Sequence, residues 1–385
     1  MASPSEPCAA PEKRVAPALA MPDDAVFEIL LRLPHREVRR LRVVCRPWRS
    51  LLSDPHFIAA HAARHPLIVA GHHSTARRGH GSLCDVVDVL SGHVVRRVRP
   101  TWDTNELVVS THQDLVCTLR RRTWSFRLIN PATGAVHDLP DELSEENQDE
   151  YLCNFRPMVV LGKVASTGKY KVLRVLDDLL LPDQLCEVFT LDDSIDAQWR
   201  GKEDLPPDCL DLQSRVVVDG IVYLFTREAG PDKRKKRVAS FDLETEAWRA
   251  TIQGPVISPV GDAIGTSSSH VNHDDLSLTS LKGSLVVVHL SSSSMDLWFL
   301  IDFEKSLWVK QYSIQVNLSP QHDEFHVRPL MVLDDGRIAT YIGPRGLLRI
   351  YNPRTNMYTD VTEMGPRVGI GVYTGNLLSL ANGAS

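Results

Sequence analysis

The chain has 385 residues, a net charge of −5 and 43% apolar content, so it can bury a sizeable core. Its length fits roughly two or three domains, or one small module plus one large domain, and the charge is too mild to imply a partner by itself. No apolar run approaches the length of a membrane span. Its seven cysteines include no Cys-x-x-Cys pair, which argues for reduced thiols and against a disulfide frame or a structural zinc.

Residues 1–19 are rich in alanine and proline, with Glu6, Glu12, Lys13 and Arg14 interspersed. They lack the apolar run of a signal peptide, and their acids and prolines fit a transit peptide poorly, so they read as a disordered lead-in. A helical module follows over residues 20–65. Pro22, Asp23 and Asp24 open its first helix, the proline fixing the entry and the acids capping the first amides. Ala25, Val26, Ile29, Leu30 and Leu33 recur at helical spacing and give one apolar face. Pro34 ends that helix, because the residue before a proline avoids the α region. A second helix from about Arg36 places Val38, Leu41, Val44 and Cys45 on its apolar side among arginines. Pro47 starts a third, short helix with Trp48, Leu51 and Leu52. Residues 56–65 form a further helix with Phe57, Ile58 and Ala62 turned inward.

Taken in order, Pro22, Asp23, Asp24, Ile29, Leu30, Leu33, Pro34, Val44, Cys45, Trp48, Arg49, Asp54, Pro55 and Phe57 make this segment resemble the F-box. A bland helical hairpin would share the periodicity but not this order of Pro, Cys, Trp and Phe. Met21 takes the place of the opening leucine, a volume-conserving swap, and Arg39 falls where many members have an apolar residue. The resemblance implies docking on a Skp-family adaptor held by a cullin scaffold. The residues it assigns to that face are Pro22, Asp23, Ile29, Leu30, Leu33, Pro34, Leu41, Val44 and Trp48. Leu33 and Pro34 lead for direct contact, since a buried interface needs apolar anchors. Ile29, Leu41 and Trp48 serve equally well as residues that hold the helices together.

Over residues 66–380 the hydrophobic period changes from 3.6 to 2, beginning with a strand at Leu67–Ala70. A weak unit of strand, polar turn and second strand, often led by an aromatic residue, recurs six times. The comparable positions are Asp88, Asn130, Thr190, Asp242, Asp302 and Asn352. Their spacing of about 40–60 residues is that of a four-stranded propeller blade. The fold class expected is therefore a small all-α N-terminal module followed by a large all-β domain, a six- or seven-bladed β-propeller whose closure removes exposed edges. Asn and Asp in the turns can bond their own backbone. Trp199, Trp248, Trp308 and Tyr358 read as wedges between blades.

The all-β region also resembles the F-box-associated region of plant F-box proteins. The matching stretches are Leu128 to Gly134, Thr167 to Val172, Asp219 to Leu224, Ser240 to Thr245 and Asp296 to Trp298. The usual Gly-x-x-His-Trp run is missing, and Gly220 to Leu224 stands in its place.

Catalytic motifs fail on inspection. Gly162 to Tyr170 resembles a phosphate-binding loop, but its glycines are one residue too far apart and Tyr170 stands where a magnesium-binding hydroxyl belongs, so it reads as a hairpin turn. Gly369-Ile370-Gly371 carries no nucleotide signal. His72, His73 and His80 share a Gly- and Arg-rich loop near Cys84 and Asp85 but lack the rigid frame of a metal site, so no metal or cofactor is expected. Lys233 to Arg237 is a basic loop tip that serves either as a nuclear import signal or as a solvated hairpin, and the acidic stretch Asp138 to Glu150 reads as solvation in preference to a docking strip for a basic partner.

The function implied by both resemblances is a non-catalytic substrate receptor of an SCF-type ubiquitin ligase, acting in the cytoplasm or nucleus on a protein substrate the sequence does not name. The alternatives are a propeller binding protein outside a ligase, a propeller enzyme, or a nucleic-acid binder. The enzyme lacks a recurrent cluster of acids or histidines, and the nucleic-acid binder lacks basic-aromatic alternation.

Overall fold

The computed structural model describes residues 22–72, 83–99, 106–147, 155–178, 184–192, 197–202, 204, 206, 208–227, 236–257, 275–291, 293–316, 327–343, 346–365 and 367–379. The lead-in 1–19, His73, His80 and residues 233–235 of the basic run lie outside the described residues. The chain divides into two compact units, Met1–Arg64 and His65–Ser385.

The first unit holds four short helices: α1 (Asp23–Leu31), α2 (His35–Leu41), α3 (Arg46–Leu51) and α4 (Pro55–Arg64). Helices this short are marginal alone in water, so they depend on packing. Leu30, Leu31, Val38, Leu52 and Phe57 form the buried core. Three expectations are corrected. Asp23 and Asp24 occupy the first turn of α1, where their charge suits the helix dipole, but no side chain caps its amides. The apolar run of α2 stops at Leu41, because the chain turns there and Cys45 is extended (φ −155°, ψ 163°) as the N-cap of α3; Val44 and Cys45 are exposed. On α4 it is His61, not Ala62, that is buried, one turn from Phe57. Asp54 starts α4, its Oδ1 accepting from the amide of His56 at 2.7 Å.

The second unit opens with β1 (Leu67–His72), β2 (Cys84–Asp88) and β3 (Val94–Val98). Next come β4 (Glu106–His112), β5 (Leu115–Arg120), β6 (Ser125–Ile129) and β7 (Val136–Asp138), forming one antiparallel sheet in that order. The next sheet is β8 (Phe155–Lys163), β9 (Tyr170–Asp178), β10 (Gln184–Leu191) and β11 (Arg200–Gly201). A third comprises β12 (Leu210–Val218), β13 (Ile221–Thr226), β14 (Arg237–Asp242) and β15 (Ala247–Trp248), with β16 (Ile252–Gln253) also on β14. Then follow β17 (Asp275–Leu281), β18 (Ser284–Leu290), β19 (Ser294–Asp302) and β20 (Leu307–Gln315). The fifth is β21 (Val327–Val332), β22 (Ile338–Ile342), β23 (Leu347–Asn352) and β24 (Met357–Glu363). Finally β25 (Arg367–Tyr373) returns to pair antiparallel with β1, giving the order β25-β1-β2-β3. The result is a six-bladed propeller. Its first blade takes three strands from the beginning of the β-region and its innermost strand from the end.

All six recurring units turn out to span the third and fourth strands of a blade. In five of them the marker residue closes an Asx turn. Asp88 Oδ1 accepts from the amide of Ser91 at 2.7 Å, Asn130 from Ala132 at 2.9 Å, Asp242 from Glu244 at 2.8 Å, Asp302 from Lys305 at 3.1 Å and Asn352 from Arg354 at 3.0 Å. Thr190 differs: it lies inside β10 and its hydroxyl accepts from Arg200.

Each seam between neighbouring blades is filled by one apolar cluster, as with Val69 and Val116, Phe189 and Leu128, or Leu173 and Phe241. Trp199 and Trp308 are buried wedges, and each indole N–H donates to a carbonyl of the preceding blade's segment, Pro140 or Gln253, at 2.8 Å. Trp248 and Tyr358 are half-buried against the same kind of seam. The seam between the blades of β8–β11 and β12–β15 also holds a charged knot. Glu246 receives Lys171 at 2.9 Å and both Arg200 and Lys202 at 2.5 Å. Burial alone would raise the Glu246 pKa, but hydrogen bonds from Lys202, Lys171 and Arg200 outweigh it and hold it at about 2.

Candidate functional site

Two surfaces are candidates, one on each unit. On the helical unit, Pro22 and Asp23 are exposed at the start of α1, and Pro34 is exposed as the N-cap of α2. Ile29 is 47% exposed and Val44 60% exposed. Leu33, Leu41 and Trp48 are half-buried. Leu30 is only 2% exposed, so its role is to hold α1 in place rather than to present a surface. The ring of buried His61 bonds the Leu33 carbonyl through Nε2 at 2.9 Å, which ties the α1–α2 corner to α4. The sequence reading missed Val43, which is 83% exposed beside Val44. An apolar pair in the turn after a helix, outside the helical period, was the signal available. Exposed apolar side chains gathered in one small unit mark a surface suited to a partner.

On the propeller, the inner strands β4, β8, β12, β17, β21 and β25 surround a central channel with a cavity of about 780 Å³. Gly369 and Gly371 of β25 acquire a structural meaning here. A Cβ at Gly371 would overlap the Thr111 hydroxyl, and one at Gly369, which has φ +63°, would overlap the Val108 carbonyl. Only glycine lets the closing strand approach β4 this closely.

The channel wall is apolar with hydroxyl, amide and cationic groups and, among the described residues, no carboxylate. Arg215 reaches from β12 toward β4, donating Nη2 to the Val109 carbonyl at 2.8 Å and Nη1 to the Leu212 carbonyl at 2.9 Å. Burial lowers its pKa, and the charge of Arg328 on β21 lowers it further. Arg328 lines the same channel from β21 but is exposed to it, and desolvation by the surrounding protein lowers its pKa too. His112 is held at about 4, first by burial and then by Lys163, so it is neutral at physiological pH. Among the described residues no group of His, Cys, Asp and Glu is arranged to hold a metal. His72 instead bonds Asp85 at 3.0 Å, and Asp85 also receives Arg97 at 3.0 Å. The Gly162–Tyr170 segment is a hairpin turn in which Gly168 donates to the Val164 carbonyl at 2.8 Å.

In the chain, a short helical module precedes a closed six-bladed propeller, the order both resemblances imply. Comparison with known families agrees: the F-box domain matches residues 19–59, and the F-box associated beta propeller domain matches residues 94–368. The latter spans well over half of the chain, and the chain belongs to that family. The chain is similar to F-box protein At3g07870 of Arabidopsis thaliana, 23% identical over 390 residues, covering 90% of this chain and 88% of that protein. It is also similar to putative F-box protein At5g52610 of the same plant, 24% identical over 301 residues, covering 75% and 76%. Among solved structures, a chain from a nidogen/laminin complex superposes with a TM-score of 0.44 at 9% identity, covering 80% of this chain and 97% of that one.

Proposed function

We propose that this chain is the substrate-receptor subunit of an SCF-type ubiquitin ligase. The helical unit docks on a Skp-family adaptor held by a cullin scaffold, and the propeller holds a target protein. The chain performs no bond chemistry; it raises the effective concentration of target at the transfer site. The observation that carries the reading is the exposed apolar set Ile29, Val43 and Val44, with Pro34 also exposed, inside the segment matched as an F-box domain. Placement in the cytoplasm or nucleus follows from those partners, and imaging a tagged full chain tests it: exclusion from both compartments would remove that placement.

The test is adaptor capture. An apolar side chain buried at an interface contributes about 1.5–3 kcal/mol, and a carboxylate in its place adds a desolvation cost. Leu33→Asp with Pro34→Ala should therefore weaken capture by more than about a hundredfold, since each ~1.4 kcal/mol is tenfold. Val44→Asp, at a residue already exposed, should weaken it without unfolding the unit. Wild-type capture by Val44→Asp removes that residue from the face. Failure of the unmutated chain to capture any Skp-family adaptor rejects the receptor reading.

A further inference from the structure

The central channel has a charge balance opposite to that of the chain. The protein carries −5 overall, yet the described channel lining holds Arg215, Arg328 and Lys282 and no Asp or Glu. Arg215 satisfies part of its guanidinium on two backbone carbonyls, neutral acceptors that leave its charge uncompensated. Arg328 makes no hydrogen bond or ion pair within the described structure and faces the channel with its charge unmet. The two channel arginines come from β12 and β21, blades that are not neighbours, yet both line one channel, and the charge of Arg328 bears on Arg215. Arg328 is exposed to the channel and Arg215 is half-buried in its wall. Two like charges lining one channel whose described wall offers no counter-charge repel each other, and an anion placed between them offsets that repulsion. Guanidinium groups match the oxygens of phosphate and carboxylate in forked geometry. Hydroxyls of Ser277 and Thr111 stand in the same wall as further donors.

We propose that the propeller channel is an oxyanion-binding site in which Arg328 and Arg215 receive a phosphate or carboxylate group of a ligand. The site goes beyond the receptor reading and does not rest on it, because it is tested without adaptor or target. The experiment is thermal unfolding of the purified full chain, titrated with inorganic phosphate, with citrate, or with chloride at matched ionic strength. Phosphate, citrate or both should raise the unfolding temperature saturably, and chloride should not. A response to phosphate alone assigns the site to phosphoryl groups, and a response to citrate alone assigns it to carboxylates. Arg328→Gln should shift the two readouts in opposite senses: the free protein becomes more heat-stable as the repulsion on Arg215 is relieved, while the anion response weakens at least tenfold. Arg354→Gln, which removes an exposed positive charge outside the channel, should leave the anion response intact. If Arg328→Gln does not fold, Arg328→Lys keeps the charge but loses the fork and should weaken the response. The proposal is overturned if chloride reproduces the shift, if neither oxyanion produces one, or if the Arg328 variant responds as wild type does.

Discussion

The helical unit and the propeller solve the same problem in opposite ways. The helical unit buries a handful of side chains, Leu30, Leu31, Val38, Leu52 and Phe57 among them, and leaves Ile29, Val43 and Val44 exposed within one short stretch. The propeller divides its apolar surface among six seams; of its exposed apolar residues, Leu90, Trp124 and Val256 lie far apart in the chain, while Ile301, Leu307 and Val309 share the β19–β20 hairpin of a ring whose seams are already filled. A closed ring satisfies its own edges and needs nothing added to it. Four helices of six to ten residues cannot do so, and an incomplete apolar surface is what a partner can complete.

The sharpest way to break this comparison is to open a seam. Trp199→Ala removes a buried wedge and its hydrogen bond to Pro140, and should cost about 3–5 kcal/mol, read as a lower denaturant midpoint of the β-rich transition. A cost below about 1 kcal/mol would mean that the seams do not carry the stability of the ring. Leu30→Ala tests the other side. It should cost about 2–4 kcal/mol, enough to unfold so small a core, and helical circular dichroism should fall while the β-rich transition serves as the reference. Undiminished helical signal would show that α1 does not depend on this anchor.

The smallest effect concerns charge. The Glu246 pKa is depressed, so its contribution is fully present above about pH 4.5 and is lost as pH falls toward about 2. Glu246→Gln should cost ~1 kcal/mol at pH 7, allowing for solvent screening of the partly exposed knot, and the gap from wild type should close near pH 2. A gap that persists unchanged at pH 2 would assign the effect to packing rather than to ionisation.

Much of the propeller was legible because its outer hairpins need distinctive chemistry. An Asx turn wants Asn or Asp at one place, and a seam wants an aromatic residue a few positions later; Asp242 with Trp248 and Asp302 with Trp308 supply both. The inner strands carry no such mark. In β12 the run Leu-Asp-Leu-Gln-Ser-Arg mixes wall and water, and a lone Arg215 there reads like any solvated strand residue. Arg328 was invisible for the same reason, since its meaning depends on blades far apart in sequence. In the helical unit, the periodic pattern placed Ile29 and Leu30 on one face. A nine-residue helix has too few turns to fix that face, so packing against α4 decided that Leu30 turns inward and Ile29 outward. Val44 was expected within α2 and lies beyond it, because the conformation of Cys45 ends the helix first.

The pairing of β25 with β1 has a consequence for the order in which the molecule is made. Residues 67–72 must wait for residues 367–373 before the first blade is complete. A ribosome delivers β25 about 300 residues after β1, so the ring stays open throughout that stretch of synthesis. Joining strands this distant in sequence also makes the step slow relative to forming each hairpin. During that interval, β1 and β4 lack the neighbour that later seals them. A message truncated just before Arg367 would therefore yield a chain with an intact helical unit and an unsealed ring.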